Sequence, residues 1–155
     1  MVSNNVTRLL DNREINYQAY VLPKKKIKAD EVAQLLDAPP EIVFKSIVIL
    51  RKGPGKAILA VVPGNKEVDL KLLARAVGEK KVSASTQSEA EALTRLQAGG
   101  ISPLALVNRG FEILIDQSAL DHELIHVSGG ELGLNIRLAG KDLIQLTGAK
   151  IAPIC

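Results

Sequence analysis

The fold is decided by an apolar stretch at residues 43–50, VFKSIVIL, and by a second one at residues 57–62, AILAVV. Both are rich in β-branched residues, and Gly53-Pro54-Gly55 between them is a turn signal, so the pair predicts a hairpin of buried strands. Lys45 interrupts the first stretch. Burying an unpaired ammonium costs several kcal/mol. This lysine must therefore pair with a carboxylate, reach water or serve an anionic ligand.

The elements on either side of this hairpin indicate an α+β fold. Pro39-Pro40 stops one predicted helix, Asp69 and Gly78 bracket another, and Thr86 with Glu89 has the spacing of a capping box. We expect helices at residues 2–12, 30–36, 70–77, 87–97 and 141–146. We expect strands at residues 17–22, 43–50, 57–62, 103–107, 111–115, 123–127 and 134–138, with an edge segment at 150–154. About seven strands and four to five surrounding helices predict a mixed, mostly antiparallel curled sheet or barrel-like core.

Length and cysteine content favour one cytoplasmic domain. The 155 residues suit a single domain spanning 1–155. The single cysteine, Cys155, cannot form an internal disulfide, which fits a reducing compartment. No signal-peptide pattern opens the chain and no apolar run approaches the length of a membrane span. We therefore expect a protein that is neither secreted nor membrane-spanning.

The charge distribution favours a polyanionic partner. The formal net charge is +3, and Lys24, Lys25, Lys26 and Lys28 form one basic block. The alternative is a solvated surface. Aromatic residues are only 3% of the chain, which argues against a platform that stacks successive bases.

Most familiar catalytic signatures are missing from the sequence, and the one that occurs lacks its usual helical setting. His122, Glu123 and His126 have the H-E-x-x-H spacing of a helical metal pair, but their neighbours favour a strand rather than the helix that this motif needs, and no cysteine cluster joins them. Neither a phosphate-binding loop nor a nucleophile elbow occurs. We predict no metal and no cofactor. The candidate groups that remain are a lysine, several glycine-rich loops and a few hydroxyls, and they suit a site that positions and polarises its ligand.

Three loops could build such a site around Lys45. They are Gly99-Gly100-Ile101-Ser102-Pro103, Ser128-Gly129-Gly130 and Pro63-Gly64-Asn65-Lys66. Glycines let a backbone approach a ligand closely and turn its N–H groups toward it. Each loop alone is more often just a turn, but their occurrence together with a lysine in a strand indicates a ligand site.

The chain resembles a known family. The segments VFKSIV (43–48), VVPGN (61–65), GGISPL (99–104) and VSGG (127–130) have the order and spacing of the YbaK/EbsC family, and the resemblance covers about residues 7–151. These are free-standing aminoacyl-tRNA deacylases, similar to the editing domain inserted in bacterial prolyl-tRNA synthetases. The resemblance implies trans-editing of a mischarged tRNA, most typically cysteine on the proline tRNA, on a fold without a metal. It implies the aminoacyl-tRNA 3′ acceptor end as substrate and prolyl-tRNA synthetase as a candidate partner.

The resemblance also implies the site residues. Lys45 matches the essential lysine, Gly100 the loop glycine and Ser128 the loop serine, and we take these three as catalytic. Tyr20 matches an aromatic that lines the pocket. The remaining predicted substrate-binding residues are Phe44, Gly64, Asn65, Ile101, Ser102, Pro103, Gly129, Gly130 and Asn135. Two departures, Ala105 after Pro-Leu and Asn135 in place of an aspartate, affect the shape of the pocket.

We expect Lys45 to contact the terminal phosphate or ribose, and backbone N–H groups near Gly100 and Gly129 to donate to the aminoacyl carbonyl. Water or the substrate's own thiol would attack. Three alternatives stay open: a sister enzyme that removes alanine, a non-catalytic or regulatory binder of tRNA ends or nucleotides, and a structural ion pair of Lys45 with Glu67 or Asp116.

Overall fold

The computed structural model describes residues 3–53 and 57–155. Part of the predicted turn at 53–55, and the first residues of the predicted N-terminal helix, lie outside these ranges. The described α-helices are α1 (Asn5–Asn12), α2 (Ala29–Leu36), α3 (Leu70–Val77), α4 (Gln87–Thr94) and α5 (Gly140–Thr147). The described strands are β1 (Tyr17–Val21), β2 (Phe44–Arg51), β3 (Ile58–Pro63), β4 (Val82–Ala84), β5 (Glu112–Asp116), β6 (Leu124–Ser128), β7 (Leu134–Ala139) and β8 (Lys150–Ala152).

The strands form two sheets. One has the order β1-β7-β6, and the other has the order β4-β2-β3-β5-β8. The β3–β5 and β5–β8 pairs are parallel and the other pairs are antiparallel. The predicted α+β class and the mixed, mostly antiparallel sheet are therefore confirmed.

The predicted barrel-like core holds only loosely, because the described strands do not close into a barrel. In the described part of the chain, an isolated bridge between Val43 and His126 links the two sheets, and the larger sheet ends in the three-residue strands β4 and β8. Closure needs a continuous ladder between the first and last strands, and strands this short cannot supply one. The sheets are curled rather than closed.

Strand β3 lies at the centre of the packing, since all six of its residues are buried. One face of the larger sheet packs against the smaller sheet in a core that includes Phe44, Val48 and Ile136. The opposite face packs against α3 and the C-terminal segment, in a second core that includes Ile49, Leu73 and Ile154. Because side chains alternate along a strand, Lys45 lies on the second face, near the start of β2.

Several elements differ from the sequence-based prediction. Residues 103–107, predicted as a strand, contain a 3₁₀ helix at Pro103–Leu106. The Ser102 hydroxyl accepts a hydrogen bond from the Leu104 N–H at 3.1 Å, and proline occupies the first helical turn, which together are start signals of a helix. Strand β4 was not predicted, because Val82 is its one buried residue.

The predicted helix at 87–97 is shorter than expected. It ends at Thr94 because Arg95 adopts a left-handed φ of 60°. Within the residues described, no helix is long and apolar enough to cross a membrane.

Candidate active site

A cleft of about 330 Å³ lies along the uncovered edge of β2. Strand β4 pairs with β2 only over Ile49–Arg51, and the Ser85 N–H donates to the Val48 carbonyl at 3.1 Å, so the residues of β2 before Val48 are left open on that side. The walls come from the segment that precedes α2, the start of α4, the Gly99–Ile101 loop and the adjoining ends of β6 and β7. The cleft therefore forms where the two sheets diverge.

Lys45 lines this cleft, and its ammonium has a defined partner. Its Nζ lies 3.0 Å from Oε1 of Glu67, and the side chains are 21% and 90% exposed. Asp116, the other carboxylate considered for this lysine, instead accepts hydrogen bonds from the backbone N–H groups of Ile154 and Ser118. An ion pair with so exposed a carboxylate is worth at most about 1 kcal/mol. An incoming anion can therefore displace Glu67 at little cost.

Further positive potential surrounds the cleft. Lys25 and Lys26 line it, and Lys26 Nζ lies 2.6 Å from Oε1 of Gln87 on the opposite wall. Gln87 begins α4, which Thr86 caps by accepting a hydrogen bond from Glu89 N–H at 3.1 Å. A helix N-terminus carries a partial positive charge. The cleft is thus suited to a ligand with phosphate groups.

A polar row crosses the smaller sheet toward the cleft. Ser128 and Asn135 are direct neighbours on β6 and β7, and both line the cleft. The Ser128 hydroxyl donates to the Gly99 carbonyl at 3.3 Å, which ties the two predicted loops together. Asn135 Oδ1 lies 2.8 Å from Nδ1 of His126.

Tyr20 continues this row on β1, where it pairs with Asn135, but it does not line the cleft. Its ring centroid is 5.5 Å from that of His126, and the guanidinium of Arg137 lies 5.8 Å from the Tyr20 ring centroid. Burial lowers the pKa of His126, the hydrogen bond with Asn135 opposes that shift, and the charge of Arg137 adds to it. The imidazole is therefore neutral near neutral pH.

The backbone donors expected near Gly100 and Gly129 are already engaged. The Gly100 N–H donates to the Gln97 carbonyl and the Gly129 N–H donates to the Leu134 carbonyl, each at 2.8 Å. A Cβ on Gly100 would lie 3.0 Å from backbone atoms of Glu131. This glycine serves close packing between two loops, and its N–H does not face an oxyanion.

The structure brings five of the predicted site residues to the cleft: Phe44, Lys45, Ile101, Ser128 and Asn135. The others surround it without lining it. Ser102 and Pro103 are buried at the start of the 3₁₀ helix, Gly64 N–H donates to the Val43 carbonyl at 2.7 Å, and Asn65 Nδ2 donates to Glu41 at 3.4 Å. Gly130 lies in the turn after β6, which the Asn4 side chain fastens by donating to the Gly129 carbonyl at 3.0 Å.

Sequence reasoning missed the wall that contains Thr86, Gln87 and Ala90. The capping box at Thr86 identified a helix start, and that signal could have indicated an anion-binding end. It could not indicate which side of the sheet this helix would face. Lys25 and Lys26 were predicted to contact a polyanion, but their place in the cleft wall depends on tertiary structure.

Metal ligation and thiol chemistry find little support here. Within residues 3–53 and 57–155, no group of three or more His, Cys, Asp or Glu side chains could hold a metal ion. Desolvation of its sulfur, together with the neighbouring Asp116 carboxylate, raises the pKa of Cys155 to about 11, although the residue as a whole is exposed. Its thiol is therefore protonated and a poor nucleophile.

Comparison with known proteins identifies the family. The aminoacyl-tRNA editing domain matches residues 24–146. An Enterococcus faecalis protein assigned as the Cys-tRNA(Pro)/Cys-tRNA(Cys) deacylase EbsC is 32% identical over 152 residues, covering 97% of this chain and 92% of that protein. The crystal structure of a protein assigned as a trans-editing enzyme for prolyl-tRNA synthetase matches with a TM-score of 0.77 and 26% identity, covering 99% of this chain and 98% of that one.

The fold is matched more closely by the crystal structure of a hypothetical protein, with a TM-score of 0.89 at 22% identity, covering 97% of this chain and 99% of that one. The resemblance read from the four sequence segments is thereby confirmed. This chain belongs to the aminoacyl-tRNA editing domain family.

Proposed function

We propose that this chain is an aminoacyl-tRNA deacylase that acts in trans on mischarged tRNA, with Cys-tRNA(Pro) as its main substrate. One observation carries the proposal: in a chain of the editing-domain family, Lys45 lines a cleft with its ammonium held by the exposed Glu67 carboxylate. Such a cation is ready to exchange its counter-ion for a ligand phosphate. Proteins assigned to Cys-tRNA(Pro) deacylation and to trans-editing are similar to nearly the whole chain.

The size and lining of the cleft suit a small aminoacyl group on a terminal adenosine. Its volume of about 330 Å³ lies within the usual range for ligand pockets. Apolar side chains such as Val32, Phe44 and Val48 form one part of it, and the lysines form another. A hydrophobic pocket separates ligands by only about 1–3 kcal/mol per methylene. We therefore expect incomplete discrimination among cysteine, alanine and proline.

In the mechanism that we propose, Lys45 leaves Glu67 and contacts the terminal phosphate or ribose oxygens. There its charge offsets the negative charge that develops on the ester oxygens. Because the N–H groups of Gly100 and Gly129 are engaged elsewhere, the remaining polar contacts fall to side chains of the cleft. Ser128 and Asn135 are the two best placed for that role.

The bond-breaking step needs no protein nucleophile when the substrate carries cysteine. The substrate sulfur attacks its own carbonyl carbon, a C–S bond forms, and the C–O ester bond to the ribose breaks. The thiol proton ends on the ribose oxygen, so the products are a four-membered thiolactone and free tRNA. For alanine, water would take the place of the thiol.

The body of the tRNA would be held by the basic block of Lys24, Lys25, Lys26 and Lys28. Contacts with phosphates carry little sequence information, so we infer that tRNA identity is selected with the help of a prolyl-tRNA synthetase. We further propose that the chain acts as one domain over 1–155 and works in the cytoplasm.

A panel of charged tRNAs tests the proposal. Wild-type protein is incubated in single-turnover conditions with Cys-, Ala- and Pro-charged proline tRNA, and loss of the aminoacyl ester is followed. We expect Cys-tRNA(Pro) to be cleared fastest. Faster clearance of Ala-tRNA(Pro) would favour the sister alanine enzyme, and buffer rates on all three would favour a non-catalytic binder.

A further inference from the structure

A buried histidine lies directly behind the wall of the cleft. His126 is 4% exposed and Asn135 is 5% exposed. In the ladder between β6 and β7, Ser128 pairs with Asn135 and His126 pairs with Arg137, so these side chains share one face of the sheet. Asn135 lines the cleft, whereas His126 is not among the lining residues. The histidine can therefore influence a ligand through the asparagine.

The hydrogen bond between these two residues has a defined direction. His126 Nδ1 lies 2.8 Å from Asn135 Oδ1. An amide oxygen can only accept, so Nδ1 must carry the proton. The imidazole is neutral, since burial and Arg137 outweigh the hydrogen bond with Asn135 and lower its pKa. One neutral tautomer, protonated at Nδ1, fits this arrangement.

Fixing the oxygen also fixes the other end of the amide. With Oδ1 engaged by His126, the Nδ2 group of Asn135 is the part left to meet a ligand. An asparagine without this partner could present either its oxygen or its nitrogen to the cleft. An aspartate in its place would bring a negative charge, which attracts the α-ammonium of an aminoacyl group. The amide nitrogen offers a neutral donor instead.

We propose that His126 is a positioning residue that holds the Asn135 carboxamide with its Nδ2 hydrogens toward the cleft, so that the site recognises an oxygen acceptor on the substrate. Within the proposed function, on which this inference rests for the identity of the ligand, that acceptor is the ester carbonyl or a ribose oxygen of the aminoacyl-adenosine end. His126 itself does not touch the substrate.

The tautomer can be measured without any substrate. The ¹⁵N chemical shifts of the imidazole distinguish a protonated from an unprotonated ring nitrogen, and His122→Phe leaves His126 as the only histidine for assignment. We expect Nδ1 to be protonated and Nε2 to be unprotonated. The reverse would require Asn135 to donate to the ring and to turn its oxygen toward the cleft, which would overturn the inference.

A double-mutant cycle tests the functional consequence on Cys-tRNA(Pro). His126→Phe keeps a ring beside Tyr20 but removes the donor, and we expect it to slow single-turnover deacylation about 5- to 20-fold, the usual effect of one lost hydrogen bond. Asn135→Ala should slow it at least as much, and the double variant should be no slower than Asn135→Ala. His126→Gln, which can still donate, should recover part of the rate. The control His122→Phe should match wild type.

Two results would contradict the positioning role: His126→Phe with the wild-type rate, or a loss that multiplies with that of Asn135→Ala. A multiplied loss accompanied by a lower Tm would indicate a purely structural histidine. If wild-type protein clears the tRNA no faster than buffer, the proposed function fails, while the ¹⁵N measurement still decides the arrangement of His126 and Asn135.

Discussion

The ammonium of Lys45 lies 3.0 Å from the carboxylate of Glu67, and this carboxylate is 90% exposed. One of the three sequence-based explanations for Lys45, a structural ion pair, is thus present in the geometry. It does not account for the lysine, because an exposed partner contributes little to stability and because Lys45 also lines the cleft. We propose instead that Glu67 is a counter-ion that a substrate phosphate replaces.

Replacing that counter-ion should favour substrate binding. In Glu67→Gln the ammonium no longer has a competing negative charge, so we expect KM for Cys-tRNA(Pro) to fall about two- to fivefold with kcat nearly unchanged. Thermal unfolding should be close to wild type. Glu123→Gln, another exposed position outside the cleft lining, serves as the control. A large rise in KM, or a marked loss of stability, would mean that Glu67 holds Lys45 in its working position.

The lysines of the cleft wall should act mainly on binding. Lys25→Ala and Lys26→Ala are expected to weaken tRNA binding and to leave kcat largely intact, since phosphate contacts position a ligand without taking part in the chemistry. Each lost contact should reduce the slope of log K against log salt by about 0.7–0.9. Binding titrations at several salt concentrations measure this slope. An unchanged slope in both variants would place the tRNA on another surface.

Gly100 should be intolerant of a side chain for reasons of packing. A Cβ there would lie 3.0 Å from the backbone of Glu131 and 3.2 Å from that of Leu132. Backbone cannot move aside cheaply, so Gly100→Ala should cost about 1–3 kcal/mol of folding stability and displace the loop that carries Gly99 and Ile101. Denaturant unfolding and deacylation rates check both effects.

Gly78→Ala is a control that separates a loss of folding stability from a displacement of the Gly100 loop. Gly78 has a φ of 74° and nothing within 4 Å of a Cβ, so this substitution strains the backbone away from the cleft. We expect it to lower stability and to spare the rate in conditions where the protein remains folded. An equal loss of rate in both variants would contradict a local role for the Gly100 loop.

Asp116 should make the folding stability depend on pH in the acid range. Burial alone would raise the pKa of Asp116, but hydrogen bonds from the backbone N–H groups of Ile154 and Ser118 outweigh it and lower that pKa. The folded state therefore holds its proton less tightly than the unfolded chain does. The stabilisation is present above the unfolded pKa and is lost as the pH falls through the folded pKa, below about 4.

Asp116→Asn removes this dependence. At neutral pH it should be less stable than wild type by about 1–3 kcal/mol, because the Ile154 N–H loses a charged acceptor. The difference should shrink as the pH falls below about 4. Urea unfolding from neutral to acid pH measures it, and a constant difference across that range would show that the carboxylate charge is not what holds the C-terminal segment.

The sequence was most informative where local chemistry decides the structure. Asp69 accepts hydrogen bonds from the N–H groups of Lys71 and Leu72, Gly78 adopts the left-handed conformation that ends α3, and Thr86 forms the predicted capping box with Glu89. The 3₁₀ helix at Pro103–Leu106 was missed because a short apolar run does not distinguish a buried strand from a helical turn.

The candidate site was predictable in its residues but not in its contacts. The motifs predicted that Lys45, Ser128 and Asn135 belong to one site, and Glu67 was one of the two carboxylates considered for the lysine. Nothing in the sequence decided between Glu67 and Asp116 or revealed that the Gly100 N–H is engaged by Gln97. These contacts depend on how the two sheets meet. His126 was considered only as a metal ligand, because its position behind Asn135 requires the register of β6 and β7.

The central claim, that the Lys45 ammonium drives deacylation, is tested most directly by the single-turnover rate of Lys45→Ala on Cys-tRNA(Pro). Lys141→Ala is the matched control, since Lys141 is an exposed lysine on α5 outside the cleft lining. We predict that Lys45→Ala falls to the buffer rate while its Tm stays near that of wild type, and that Lys141→Ala keeps the wild-type rate. A folded Lys45→Ala protein that clears Cys-tRNA(Pro) at close to the wild-type rate would contradict the account.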